Sequence, residues 1–262
     1  MITLIRAEWE RILTKKWVWL LIVAIPCLPY IVADTVINMP IHNVLDLYII
    51  YGLSSNIYFP VNILVAALVA SIFTEEYRGG QLRLIFIRHY TRRQIFFSKL
   101  LTTYLFIFIM LLLFAFSSYL IGQFVVKEKS ALHFSFLFLL GKVLVYYCWA
   151  FLSLISIVSL FAFIAMYSKN ITFAIGISML YILLSLLSES LFISFSEYFK
   201  SVPYIKAFIM FILIPYLQRD ALPLVFVGNN ALLLGIASIL ILHIVIFNIL
   251  AYRQFVHKDY IY

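Results

Sequence analysis

Charge is scarce in this chain: Asp, Glu, Lys and Arg make up 11% of its 262 residues, while 65% are hydrophobic. Soluble domains carry roughly half apolar residues and about a quarter charged ones, so a soluble globular fold is excluded. With a mean hydropathy of +1.09 the chain reads as an integral membrane protein. Cysteine is nearly missing as well. Cys27 and Cys148 both sit inside apolar runs, where a thiol behaves as a small hydrophobe, so neither a disulfide framework nor a metal site is expected. Nor is there a phosphate-cradling loop. The Gly141-Lys142 pair is followed by Val143 and lacks the upstream glycine, so the chain is not expected to hydrolyse ATP alone or to hold a cofactor of its own. No internal repeat with a period of about 20 to 50 residues and no low-complexity tract is visible.

What charge there is has a sign and a place. A net charge of +8 with pI near 9.4 could suit nucleic acid, but the basic residues flank apolar spans and do not gather into one patch. They suit contact with anionic lipid and positive-inside topology, and no nucleic-acid partner is expected.

Along the chain, residues 1–16 place Ile2, Ile5, Trp9, Ile12 and Leu13 at helical spacing, with Arg6, Glu8, Glu10, Arg11 and Lys15 elsewhere. That pattern predicts a helix lying in the membrane interface. Six apolar runs follow: Trp17–Val36, Leu53–Phe73, Phe97–Val126, Phe134–Tyr167, Ile171–Ile193 and Ala231–Tyr252. Each has at least about the 20 residues that a hydrocarbon core of about 30 Å requires. The first continues past Pro26 and Pro29 without a cleavage pattern, so it is expected to be retained. Residues 194–230 differ: a short apolar core broken by Pro203 and Pro215 precedes Arg219, Asp220 and Pro223. This segment is read as a re-entrant or interfacial hairpin on the outer side. The expected architecture is therefore all-α and polytopic, one transmembrane domain over 1–262 with six spans. Counting Lys and Arg places both termini inside, in a multi-pass protein of the cell membrane.

Residues 74–99 form a charged island between the second and third spans. Arg78, Arg83, Arg88, Arg92, Arg93 and Lys99 all fall within it, after Glu75 and Glu76 at its start. Gly79 and Gly80 permit a sharp reversal after the acidic pair. Leu82, Ile85 and Phe86 offer an apolar strip, and Arg88, Arg92 and Arg93 offer charge to a partner surface or to lipid headgroups.

These features together resemble a type-2 ABC transporter permease: the interfacial helix ending in Lys15-Lys16-Trp17, six spans, a long inner loop after the second, and a Pro-broken outer segment before the sixth. In that family an acidic residue ends the second span, followed by a Gly, an apolar and basic stretch, a turn with Arg and a Lys opening the third span. Here the matching residues are Glu75 or Glu76, Gly79 or Gly80, Leu82 to Leu84, Arg92 and Lys99. Tyr90-Thr91-Arg92 stands where the family often has a Pro-x-Ser-Arg-like turn. The resemblance implies that residues 74–97 carry a coupling helix docking on a separate ATPase subunit, which binds ATP and Mg. It also implies a homodimer or a heterodimer with a similar permease, and export of a hydrophobic or amphipathic peptide, drug or lipid.

Polar residues at helical spacing suggest a substrate path. Ser178, Tyr181, Ser185 and Glu189 recur along the fifth span, and Ser55 and Asn62, seven apart, share a face of the second. Helix packing and serine bonding to its own backbone would produce the same pattern. Two other classes stay open. Glu75-Glu76 resembles the start of the prenyl-protein protease motif, though Gly80 occupies its Arg position, and His243 and Asn248 are five apart where four are needed. An ion-coupled carrier would need buried ionisable groups, and Lys142 and Glu189, expected at similar depth, are the pair available.

Overall fold

In the computed structural model, residues 2–31, 45–78, 90–125, 136–168, 170–199, 201–227 and 230–257 are described, and they are helical with short turns and no strand among them. Helix α1 (Ile2–Leu13) meets α2 (Lys16–Ile31) at 80°. The corner is closed locally: the Trp19 indole donates to the Leu13 carbonyl at 2.9 Å and the Thr14 hydroxyl to the Arg11 carbonyl at 2.8 Å. Both satisfy carbonyls that a helix terminus leaves open. The buried residues of α1 are Leu4, Glu8 and Ile12. The inward face thus includes a carboxylate that the sequence pattern assigned to the polar side.

The next helix is interrupted. Between α3 (Leu45–Asn56) and α4 (Asn62–Arg78) lies a π-helical turn, Ile57–Val61, containing Pro60. Proline has no N–H to donate within the α-helical ladder, and a wider turn accommodates its ring. The inserted residue rotates the subsequent turns by ~100°. Ser55 and Asn62 therefore do not share the face their seven-residue spacing predicts: Ser55 is half-buried and Asn62 fully buried.

Helix α5 (Arg92–Val125) has 34 residues and α6 (Phe136–Tyr167) has 32, each longer than the bilayer core requires. A tight connection leads to α7 (Ile171–Leu187), whose N-cap Asn170 accepts from the Phe173 N–H at 2.7 Å. Asparagine at this position satisfies one of the open N–H groups of the first turn. The fifth apolar run was expected to continue straight to Ile193. It bends by 51° at Ser188 into α8 (Glu189–Glu197), turning the acidic Glu189 off the axis of α7.

The proline-punctuated segment folds as α9 (Pro203–Met210) and α10 (Ile214–Tyr216), continued by a π-helical turn (Leu217–Ala221) and a 3-10 helix (Leu222–Val227). Its two arms meet at 104°. Helix α11 (Asn230–His257) ends the fold.

Helices α3 with α4, α5, α6 and α11 are each long and apolar enough to cross a membrane, and the three bent pairs pass the same test only when each is taken as one unit. The protein is an all-helical, polytopic membrane protein. Its core lies where α4 packs on α6 and α7, α2 and α3 pack on α5, and α11 lies along α6. Small residues such as Ala66, Ala70, Ala150 and Ala162 let these helices approach closely there, as apolar packing in a bilayer demands.

Candidate functional site

Two clusters collect polar side chains, one at an end of the bundle and one about midway along α3 with α4 and along α6. The first lies where α4 ends and α5 begins. Glu75 and Glu76 fall in the last turn of the α4 backbone, whereas Gly79, Gly80, Leu82 and Arg88 lie outside the described residues. Arg92 is half-buried, and its guanidinium donates to the Val256 carbonyl near the end of α11. A cation there complements the negative end of the α11 dipole. Arg93 donates to the Tyr252 hydroxyl at 2.8 Å and stands over its ring at 5.9 Å. Phe96 sits among Phe73, Tyr252 and Phe255, with ring centroids 5.6 to 6.2 Å apart. The first turns of α5 are therefore bound to α4 and to the last turns of α11.

The same stretch of α5 holds α1. Lys99, 1% exposed, pairs with Glu8 at 2.9 Å, and Arg11 approaches the other Glu8 oxygen at 2.6 Å. Trp9 meets Phe106 at 6.0 Å between centroids, the Thr3 and Tyr90 hydroxyls are 3.4 Å apart, and Lys15 donates to the Ser71 carbonyl of α4 at 3.4 Å. The first and last described helices thus both pack on the start of α5, at the end of the bundle where the basic loop leaves and returns. Sequence reasoning missed Glu8. The signal was available, since Leu4, Glu8 and Ile12 are four apart.

The second cluster is organised by the turn at 217–221. Gln218, fully buried, accepts from the Asn62 amide at 2.6 Å and donates to the Ser153 hydroxyl at 3.1 Å. The Tyr181 hydroxyl accepts from the Ile214 N–H at 3.3 Å. Arg219 binds Glu189 at 2.5 Å and Asp220 at 2.9 Å, and stacks over Tyr216 at 5.5 Å. Three of the residues expected along a path, Asn62, Tyr181 and Glu189, are therefore joined through one segment. Ser178 and Ser185 lie on the buried face of α7 beside Ala174 and Ile182. Ser55 belongs to neither group. Glu189 finds Arg219, not the expected Lys142, as its ion-pair partner. Next to Asn62 and Ser153 a narrow apolar crevice runs between Ile25, Leu53, Val61, Ile107, Met110 and Leu154.

His243 and Asn248 have separate partners. The His243 ring bonds the Ile239 carbonyl one turn back at 2.9 Å, while Asn248 donates to Ser159 at 2.9 Å and Tyr104 at 3.3 Å. Among the described residues no three His, Cys, Asp or Glu side chains gather as a metal site would require.

Both clusters belong to an all-helical, polytopic membrane domain. Residues 4–185 match the model of the ABC-2 family transporter proteins, and the chain belongs to that family. It is a membrane subunit of an ABC transporter, a type that works with a partner ATPase. Among curated proteins none matches the chain.

Proposed function

We propose that the chain is the permease of an ATP-driven exporter, embedded in the cell membrane with both termini and residues 74–97 in the cytosol. ATP and Mg bind to a separate ATPase subunit, which docks on the loop through Leu82 and Arg88, with Glu75, Glu76, Gly79 and Gly80 shaping the exit from α4. The observation that carries this reading is the anchoring of the loop's return limb. Arg92, Arg93, Phe96 and Lys99 bind it to three other helices, so a push on the loop is passed into packed helices and not dissipated. Arg92 serves this anchorage as well as any contact with the ATPase.

The six-span topology rests on α2, α3 with α4, α5, α6, α7 with α8, and α11. The segment 203–227 serves as the outer re-entrant hairpin. Asn62 lies 16 residues before the end of α4, or ~24 Å at 1.5 Å per residue, so Gln218 reaches well inside the bundle. The polar residues around this turn, Asn62, Tyr181 and Glu189, then border the outer part of the path, with Ser178 and Ser185 packed behind them. The apolar helices around it suit hydrophobic or amphipathic cargo: a peptide, drug or lipid. The outward face of α7, with Thr172, Phe173, Gly176 and Leu180 around a shallow hollow, suits a second permease, identical or similar. Anionic lipids complete the surroundings of α1.

The test is co-purification from native membranes. The tagged chain is expected to bring down a soluble Walker-motif ATPase in stoichiometric amount, and Arg88→Glu is expected to release it while the permease stays folded. Recovery of the folded permease alone under conditions that preserve membrane complexes contradicts the reading, as does an ATPase that Arg88→Glu does not disturb.

A further inference from the structure

An ion pair hidden from solvent joins two parts of the chain that need no ion pair to stay together. Lys99 is 1% exposed and Glu8 6% exposed, yet the helices around them already share Ile12, Trp9 and Phe106 as apolar contacts. Two apolar residues of similar volume would hold α1 against α5 at least as well, because desolvation of a buried pair offsets most of its attraction. What a pair adds is a directional tie of fixed length.

The position of that tie is specific. Helix α1 and the corner after it touch both roots of the basic loop: Lys15, in the corner, reaches the Ser71 carbonyl on the outgoing limb, and Glu8 and Thr3 of α1 reach Lys99 and Tyr90 on the returning limb. Past its own end α1 turns by 80° directly into α2, with the corner held by Trp19 on the Leu13 carbonyl. Displacement of the return limb therefore has a short rigid route into α2: from Lys99 to Glu8, along α1, around the corner.

We infer that Glu8 and Lys99 are positioning residues that pass movement of the loop's return limb through α1 into the first span, making α2 a second moving output of the nucleotide cycle beside α5. Arg11 holds the second oxygen of Glu8 and keeps the carboxylate aimed at Lys99. This rests on the reading of residues 74–97 as the coupling loop.

The experiment uses the permease with its ATPase in lipid nanodiscs, with Cys27 and Cys148 replaced by alanine. A bimane fluorophore is placed at Tyr30→Cys, on the exposed outer part of α2, or at Thr91→Cys, on the return limb. Emission is compared without nucleotide and with ATP trapped by vanadate. Both probes are expected to respond in the protein with its native pair. In Glu8→Gln, and in the double variant Glu8→Met with Lys99→Met that keeps the site filled, the Thr91 probe keeps its response. The Tyr30 response falls by about five-fold or more, the lower end of coupling between separate sites. The exchanged pair Glu8→Lys with Lys99→Glu, combined with Arg11→Gln to remove the like charge beside position 8, recovers it, which loss of packing alone would not predict. A full Tyr30 response in the folded double-methionine variant overturns the inference and leaves the coupling loop intact. A silent Thr91 probe in the native-pair complex overturns both.

Discussion

Gln218 shows how a single side chain ties the outer segment into the bundle. Its amide accepts from Asn62 and donates to Ser153, and all three residues are fully buried. Gln218→Leu leaves the Asn62 amide without this acceptor in an apolar setting, which costs about 1–3 kcal/mol. The expected outcome is a lower thermal midpoint in detergent for the full chain, partly regained in Asn62→Leu with Gln218→Leu; an unchanged midpoint in the single variant contradicts the role. At this scale the sequence was legible only in part. Asn62, Tyr181 and Glu189 stood out because polar groups in apolar runs are conspicuous, but their partners Gln218, Ile214 and Arg219 come from a segment far along the chain that no spacing rule connects. Glu8 was misassigned for a related reason. A carboxylate on a mixed helix reads as solvent-facing until the lysine that accompanies it inside is known.

Among the described elements, the three bends and the two π-helical turns decide where function can sit. The spans themselves were readable from apolar length, and helices α5, α6 and α11 cover most of the expected runs. The breaks were not. The π-helical turn at Ile57–Val61 follows from Pro60 and shifts the face of α4, and the bend at Ser188 brings Glu189 to Arg219. That pair pins the proline-rich segment to the start of α8. Arg219→Met is expected to speed amide hydrogen exchange across 203–227 by about five-fold, the scale of a pair worth ~1 kcal/mol, with α6 unaffected. Equal acceleration of both elements would mean that the pair supports the whole fold and not this segment alone. Segments 79–89 and 194–230 also mark the limits of a sequence reading, since the charge of the one and the prolines of the other announce a special role without the contacts that define it.

For the whole molecule, the consequence is mechanical. Helix α1, the roots of the basic loop and the last turns of α11 gather around the start of α5, while the segment 203–227 binds polar side chains midway along α3 with α4 and along α6. Family membership makes the chain the membrane half of an ABC transporter. Within that half, we propose, the arginine-rich loop is the surface on which the ATPase acts. The most direct measurement is site-specific cross-linking: a single cysteine at Arg88 in an otherwise cysteine-free chain, treated in intact cells and then in inverted vesicles. The account predicts no reaction with an impermeant maleimide from outside, reaction in inverted vesicles, and a nucleotide-sensitive cross-link to a soluble ATPase. Labelling of position 88 from the external medium, with no cross-linked ATPase, would contradict it.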